Sequence, residues 1–454
     1  MQRDTIVALA TPAGVSAMAI VRISGPLSQS MFCHFISKDE FSPKTLYHCK
    51  YLSREGKLLD DVLVVFFPFA GSYTGEDAVE IYCHGNMLIV ENILADLCAR
   101  GCRFAEPGEF TKRAFLNGKL DLCQAEAVAD VIHATNERAM QVAQNQLSGT
   151  LSDKINGVSK DLLNVLAGVE MEIDFSEDEI SNGKAFTHDI SQKVEAAIQE
   201  LKTLVGSNKY HSVINNGIST VILGEPNAGK SSLFNFLWGE DRAIVSEIAG
   251  TTRDIISEKI VVGNNVLKIC DTAGLRSNPL GEIEKTGIAK AITKASSADF
   301  FLIVVNINSN TLPVIPREIV DGLNDQNTLI VINKVDLPKN CAVEDFLPHL
   351  DRIEISIKNE TNPRVLKTKI LEVISRNKTL NNDIDIVVNA RHVSILRRAN
   401  ACLEAVQSKL FQPLPIETIA SDIRQSLEIL GEITGTYDNE KMLDLIFSNF
   451  CVGK

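Results

Sequence analysis

The stretch Gly224-Glu225-Pro226-Asn227-Ala228-Gly229-Lys230-Ser231 decides how this chain is read. The apolar run 218–223 leads into it and predicts a buried strand, and Leu233, Phe234 and Leu237 leave it at helical spacing. Strand, glycine-rich turn and helix in that order make a phosphate-binding loop. Gly224 and Gly229 let the backbone turn tightly enough for its N–H groups to face a phosphate, and the helix start adds its positive dipole end. Lys230 then reaches the outer phosphates and Ser231 offers a hydroxyl to magnesium. A glycine-rich turn matching by chance would explain neither the flanking elements nor the motifs downstream.

Those motifs follow in order. Gly250-Thr251-Thr252-Arg253-Asp254 offers Thr252 as a second magnesium hydroxyl. Asp271-Thr272-Ala273-Gly274 follows the strand 266–270; Asp271 would hold magnesium through water and the Gly274 amide would meet the last phosphate. Asn333-Lys334-Val335-Asp336 follows the apolar strand 329–332, and its carboxylate can accept two hydrogen bonds from guanine that adenine does not offer. Ser356-Ile357-Lys358, after 353–355, places a backbone amide against the guanine carbonyl. Each motif alone is weak; together they specify a GTPase. Leu275 stands where Ras-type enzymes carry the glutamine that positions the attacking water. Leucine cannot orient water, so another group must, and Arg276, Glu282 and Glu284 lie nearby. Asn227 is either a turn residue or an amide ligand for a monovalent cation.

A length of 454 residues suggests two to four domains. With 45% hydrophobic and 23% charged residues and no low-complexity tract, the composition is that of a globular protein. No apolar run approaches the ~18 residues of a membrane span. Asp4 and the turn Pro12-Ala13-Gly14 break the pattern of a signal peptide. The 10 cysteines form no Cys-x-x-Cys pair and the 8 histidines no metal-ligand spacing with them, which predicts reduced thiols in a cytoplasmic protein. A net charge of −13 argues against coating nucleic acid by bulk electrostatics but leaves room for a local basic patch.

Residues 1–118 read as an α+β unit: strands at 5–9, 17–23, 61–67 and 80–83, and a helix at 87–99. The polar clusters 72–77 and 106–113 read as loops and helix caps, the second starting a helix at 110–116. From Leu120 the period becomes helical, with one stripe at Leu122, Ala125, Val128, Ala129 and Ile132 and another at Leu151, Ile155, Val158, Leu162, Leu166 and Val169. The acidic stretch 170–179 reads as a solvated face or cap, 189–205 as a helix and 206–217 as a polar linker. Helical pattern returns at 393–410, 416–430 and 440–450. The economical organisation is a multidomain α/β and all-α chain. An N-terminal domain spans 1–118. A discontinuous helical bundle follows in two segments, 119–216 and 377–454, with a P-loop GTPase domain, 217–376, inserted between them.

The chain resembles the MnmE (TrmE) family of tRNA modification GTPases over nearly its whole length. Asp4-Thr5-Ile6-Val7-Ala8, Arg22-Ile23-Ser24-Gly25, Tyr73-Thr74-Gly75-Glu76-Asp77 and Pro107-Gly108-Glu109-Phe110 carry the likeness. Arg113-Ala114-Phe115-Leu116-Asn117, Lys119-Leu120-Asp121-Leu122 and Gln124-Ala125-Glu126-Ala127 continue it, and Phe450-Cys451-Val452-Gly453-Lys454 closes it. The resemblance implies an N-terminal folate-binding and dimerisation domain, a discontinuous helical domain and an inserted Ras-like domain. It implies a homodimer that works with the flavin-containing (FAD) partner MnmG (GidA) as a heterotetramer. The product would be an aminomethyl or carboxymethylaminomethyl group on the 5-carbon of the tRNA wobble uridine, its one-carbon unit drawn from a reduced folate.

The resemblance also assigns residues. Folate contacts fall on Arg22, Glu80, Lys119 and Lys454, and potassium contacts on Asn227, Ser246, Ile248 and Thr251. Magnesium falls on Ser231 and Thr252, and the water-organising glutamate on Glu284, with Glu282 left open by a one-residue length uncertainty. GTP contacts run through Asn227-Ala228-Gly229-Lys230-Ser231-Ser232, Ser246-Glu247-Ile248-Ala249-Gly250-Thr251-Thr252, Asp271-Thr272-Ala273-Gly274, Asn333, Lys334, Asp336 and Ser356-Ile357-Lys358. Val452 for isoleucine, Ser246 for threonine and Ser-Ile-Lys for Ser-Ala-Lys are its departures from the family pattern.

Two other classes fit parts of the pattern. A ribosome-assembly GTPase would need a KH-like domain or a second P-loop, and the sequence has neither. A switch that only regulates a modifying partner is separated by assaying modification with hydrolysis blocked. At the chain end, Gly453 and Lys454 fit a prenylation motif poorly. The tail is either a disordered end or an element held against the helical domain. Cys451 in it is a candidate nucleophile for the uridine ring or a structural or RNA-contacting residue.

Overall fold

The computed structural model describes residues 4–37, 40–174, 183–238, 258–263, 265–270, 298–359, 363–377, 385–412, 415–436, 440–448, 450 and 453. The chain divides into two compact units, Met1–Ala129 with Gln146–Ile198 and Arg398–Lys454, and Asp130–Asn145 with Gln199–Arg397.

In the first unit, β1 (Ile6–Leu9), β2 (Ser16–Ser24), β3 (Tyr47–Leu52), β4 (Leu58–Phe67), β5 (Ala78–Gly85) and β6 (Arg103–Phe104) form a sheet ordered β3-β4-β5-β2-β1-β6. All neighbours run antiparallel except β1 and β6. Strand alternation decides which face is apolar. Val79, Ile81 and Cys83 enter a core with Phe32 of α1 (Ser28–Ile36) and Ile93 and Leu97 of α2 (Met87–Ala99). Glu80 and Tyr82, the intervening residues of β5, stand on the opposite face. There Phe110 of α3 (Glu109–Leu116) covers only the β1 end, against Ile6 and Ala8.

The sequence expectation omitted α1, β3 and the two-residue β6. The alternation of Tyr47, Cys49 and Tyr51 with His48 and Lys50 was the available signal for β3. Helices α4 (Leu122–His133), α5 (Glu137–Leu147) and α6 (Thr150–Asp174) follow. The predicted α6 stripe, from Leu151 to Val169, is buried throughout, and α6 packs on the helix Ile416–Thr434.

In the second unit the predicted linker 206–217 is helix instead. Helix α7 runs unbroken over Gly183–Asn216. Leu201, Leu204, Ser207, Tyr210, Val213 and Ile214 are buried along it, a one-sided face that continues through the polar residues. Composition suggested a linker because the positions between them carry Gly206, Asn208, Lys209 and Ser212. The helix ends at Gly217, whose φ of 87° is easy only for glycine and whose N–H closes the last turn onto Val213 O at 3.0 Å.

β7 (Ile218–Gly224) then enters a sheet with β8 (Glu258–Val262), β9 (Asn265–Cys270), β10 (Phe300–Asn306), β11 (Thr328–Asn333) and β12 (Asp351–Ile355). Its order is β12-β11-β10-β7-β9-β8. Every pair is parallel except β8 with β9. The near-continuous apolar runs of β10 and β11 are those of strands buried on both faces. Helix α8 (Lys230–Trp238) and the helix Pro363–Arg376 cover one face, and Ile319, Leu323 and Val343 cover the other. Strand order reverses at β7, which lies between β10 and β9, so a ligand crevice forms outside the carboxyl end of β7. Among the described residues no helix is long and apolar enough to cross a membrane.

Gly206 lies mid-helix, and a Cβ added there would meet nothing within 4 Å. Gly206→Ala is therefore expected to stabilise the protein by ~0.5–1 kcal/mol. A raised denaturation midpoint with unchanged nucleotide binding would confirm the continuous helix; a linker would give no gain.

Candidate functional site

The phosphate loop hangs from the carboxyl end of β7. Gly224 has φ 147° and opposes Val304 so closely that a Cβ would lie 2.3 Å from Val304 O. Asn227 takes φ 64°, a left-handed conformation that asparagine tolerates better than most residues. That geometry agrees with its turn role. Gly229 takes φ 100°, and a Cβ there would meet Asn333 Nδ2 at 2.2 Å, so both conformation and space require glycine. Helix α8 starts directly after it. Lys230 Nζ donates to Gly224 O and Glu225 O, each at 2.8 Å. Burial lowers the Lys230 pKa, against an opposing pull from Glu225. Ser231 and Ser232 follow on the first turn of α8, both exposed.

Asn333, among the GTP contacts that the resemblance assigns, ends β11 and is buried. Its Nδ2 donates to Ala228 O at 2.9 Å, and its Oδ1 accepts Lys334 N–H at 2.8 Å and Ile357 N–H at 3.5 Å. One amide therefore joins the phosphate loop, its own loop and the loop after β12. Lys334, itself at φ 65°, donates from Nζ to Asn227 O at 2.8 Å. Asp336 is exposed and accepts Ser356 Oγ–H at 2.5 Å, a bond that is the main cause of its lowered pKa. In this arrangement the amide secures the loops, while the ionised Asp336 carboxylate is the group able to meet paired N–H donors of a base. Ile357 and Lys358 stand in the short turn after Ser356.

Sequence reasoning missed Glu225, whose carboxylate accepts Ser309 and Thr311 hydroxyls. No local motif marks that pairing, because the partners lie 84 and 86 residues away.

A second constellation lies on the uncovered sheet face of the first unit. Arg22 and Glu80 are cross-strand partners, and Glu80 Oε1 accepts from Arg22 Nη2 at 2.8 Å and Nε at 3.0 Å. Arg22 also lies 5.9 Å from the Tyr73 ring centre and 5.8 Å from that of Phe110. Tyr82 donates to Glu80 Oε2 at 2.8 Å, and burial, reinforced by Glu80, pushes its phenol up to about 12. From the other end of the chain, Gly453 O accepts Arg22 Nη1 at 3.4 Å. Gly453 sits so close to β1 that a Cβ would meet Leu9 O at 2.2 Å. Lys119 instead donates to Ala70 O at 2.7 Å.

The clusters 72–77 and 106–113 do form loops and a cap, and their charges form a network besides. Half-buried Arg113 bonds Glu76 at 3.0 Å, Asp4 at 2.7 Å and Glu109 at 2.9 Å, and Arg103 bonds Asp4 and Glu109. Ser246, Glu247, Ile248, Ala249, Gly250, Thr251, Thr252, Asp271, Thr272, Ala273, Gly274, Glu282, Glu284, Cys451 and Lys454 lie outside the described residues.

The description "GTP-binding protein TrmE N-terminus" matches residues 5–119, and "MnmE helical domain" matches 122–451, more than half the chain. A "tRNA modification GTPase MnmE" of Opitutus terrae is 42% identical over 99% of this chain and 99% of its own. The chain belongs to the MnmE (TrmE) family of tRNA modification GTPases. Relatives of the same name in Natranaerobius thermophilus and Thermotoga maritima are each 38% identical, over 100% and 99% of this chain and 100% of their own. The family fold accounts for both constellations: an N-terminal domain, a discontinuous helical domain and a P-loop GTPase domain. Like its family, the chain is a GTP hydrolase of tRNA modification.

Two outcomes follow from the geometry. Asn333→Ala should weaken GTP, GDP and xanthosine triphosphate alike, because it unties the loops. Asp336→Asn should weaken GTP by roughly a hundredfold while improving xanthosine triphosphate. Titration with the three nucleotides checks both, and equal affinity of the unaltered protein for ATP and GTP would refute the assignment. The Asp4 carboxyl is held below its usual range chiefly by Arg103; at Glu109 burial pulls upward, but Arg103, the Glu106 amide and Arg113 outweigh it. Their stabilisation is present above the ordinary carboxylate range and is lost as pH falls below ~4. Acid unfolding monitored near the N-terminal domain should therefore shift to higher pH in Arg113→Ala.

Proposed function

We propose that this GTPase works as a homodimer with the FAD-containing partner MnmG (GidA), as a heterotetramer. Together they add an aminomethyl or carboxymethylaminomethyl group to the 5-carbon of uridine 34 of certain tRNAs. A reduced folate supplies the one-carbon unit, and the reaction runs in the cytoplasm with its tRNA substrates. The observation that carries this reading is the Arg22–Glu80 pair on an open sheet face with the Gly453 carbonyl beside it. It supports a site where the chain terminus meets the N-terminal domain. The donor set suits a reduced folate: the Glu80 carboxylate can accept from an aminopyrimidine edge, and Arg22, Lys119 and Lys454 carry charges of the sign that glutamate carboxylates need. Cys451, two residues before Gly453, is the nucleophile of this proposal, able to add to the uridine ring and make its 5-carbon reactive.

For the nucleotide half, potassium held by Asn227, Ser246, Ile248 and Thr251 would supply positive charge against the phosphates, and magnesium would bind Ser231 and Thr252. Glu284, or Glu282, takes the water-orienting role that Leu275 cannot fill. Support comes from the family membership and from a glycine-rich loop that runs from the carboxyl end of β7 into Lys230 at the start of α8.

Binding of a reduced folate to the purified protein, and its loss in Glu80→Ala, tests the first half. Cys451→Ser should abolish wobble-uridine modification, read by tRNA nucleoside analysis, while sparing GTP hydrolysis and folate binding; full modification removes Cys451 from the chemistry. GTP turnover should rise with potassium and barely with sodium, together with self-association. Glu284→Ala should slow turnover by roughly ten- to a thousandfold with GTP binding intact. Equal rates in the two salts would defeat the potassium reading.

A further inference from the structure

Beyond β10 the chain crosses residues 307–311, a segment that none of the nucleotide motifs includes. It turns sharply: Ser309 N–H donates to Asn306 O at 3.0 Å, and Thr311 N–H to Ser309 Oγ at 3.3 Å. A serine bonding the backbone two residues on is a local turn device, and here it leaves two hydroxyls on one side. Both meet a single carboxylate. Ser309 Oγ donates to Glu225 Oε2 at 3.0 Å, and Thr311 Oγ1 to Glu225 Oε1 at 2.8 Å.

Glu225 is the second residue of the phosphate loop. Its main-chain oxygen receives the Lys230 ammonium at 2.8 Å and the Ala228 N–H at 3.2 Å. The side chain is thus fixed outside the loop while the carbonyl faces its interior. The same segment is fastened on its far side. Asn308 Nδ2 donates to Pro338 O at 2.9 Å, and Asn340 N–H to Ile307 O at 2.9 Å. Pro338 and Asn340 lie just past Asp336. Residues 306–311 therefore bridge the phosphate loop and the chain that follows the guanine motif.

We propose that Glu225 is a positioning residue of the phosphate loop, its carboxylate anchored by Ser309 and Thr311 so that its carbonyl holds Lys230 in place. Lys230 has two carbonyl partners, and each is immobilised differently. Gly224 O is fixed by close packing of Gly224 on Val304. Glu225 O accepts the Ala228 N–H within the loop, and its residue is otherwise held by the side-chain tether. Releasing the tether frees one of the two supports of the lysine that meets the phosphates. The effect falls on nucleotide affinity rather than on base choice, which belongs to Asp336.

The test uses the full-length chain and fluorescent GTP and GDP. Glu225→Ala is expected to weaken both nucleotides about three- to tenfold, the scale of one or two net hydrogen bonds, and to raise KM more than it changes kcat. The GTP-over-ATP preference stays as it was. Glu225→Gln keeps an acceptor for one hydroxyl and offers a donor to the other, so it recovers most of the loss. Ser309→Ala with Thr311→Val reproduces the loss and adds nothing to Glu225→Ala, as expected for partners in one contact. These two hydroxyl deletions, at half-buried Ser309 and exposed Thr311, also carry the test if Glu225→Ala does not fold. Unchanged affinity in Glu225→Ala, Glu225→Gln as weak as alanine, or fully additive losses would each overturn the tether.

Discussion

The nucleotide half of this protein depends on one buried amide. Asn333 donates to the phosphate loop at Ala228, accepts its own following N–H, and accepts Ile357 N–H across the neighbouring strand end. A buried amide left without partners costs ~1–3 kcal/mol, so three loops are held to one arrangement by the need to satisfy it. Gly229 is the counterpart of that constraint. Any side chain there would displace the amide, and its φ is one that only glycine takes without strain. Parallel strand register makes the meeting possible, because Asn306, Asn333 and Ile355 lie level at the ends of β10, β11 and β12.

The N-terminal domain uses charge where the GTPase domain uses a neutral amide. Arg113 is surrounded by Glu76, Glu109 and Asp4, and Ser24 and Thr74 complete the hydrogen bonding of Glu76. Removing Arg113 would leave the buried Glu76 carboxylate without its ion-pair partner, a loss costlier than the pair's own net contribution. Its effect is to fix α3 and the 72–77 loop against β1 and β2. The Arg22–Glu80 pair differs: it stands beside the Phe110 and Tyr73 rings, with both side chains partly exposed. One set of ions cements the domain, and the other keeps part of its surface in solvent.

Sequence by itself determined the parts governed by local spacing. The order strand, glycine-rich turn and helix follows from residues within about twenty positions of one another, as do the period-two strands and the α6 stripe. The family fold and the GTPase chemistry were legible for that reason. Polarity misled at 206–216, where small and polar side chains suggested a linker. The three-residue recurrence of buried positions, visible only with a partner surface in view, made it helix.

Tertiary structure alone decided what each motif residue does to its neighbours. Asn333 bonds a residue 105 positions away, Glu225 one 84 away, and Arg22 one 431 away. Hydrogen bonds of that range depend on strand order, register and the closest approach of two backbones. None of these is written in the spacing of residues along the chain. The sequence therefore supplied the chemical groups and their local geometry. Which of them secure loops and which stay exposed was settled when distant segments came within hydrogen-bonding distance of one another.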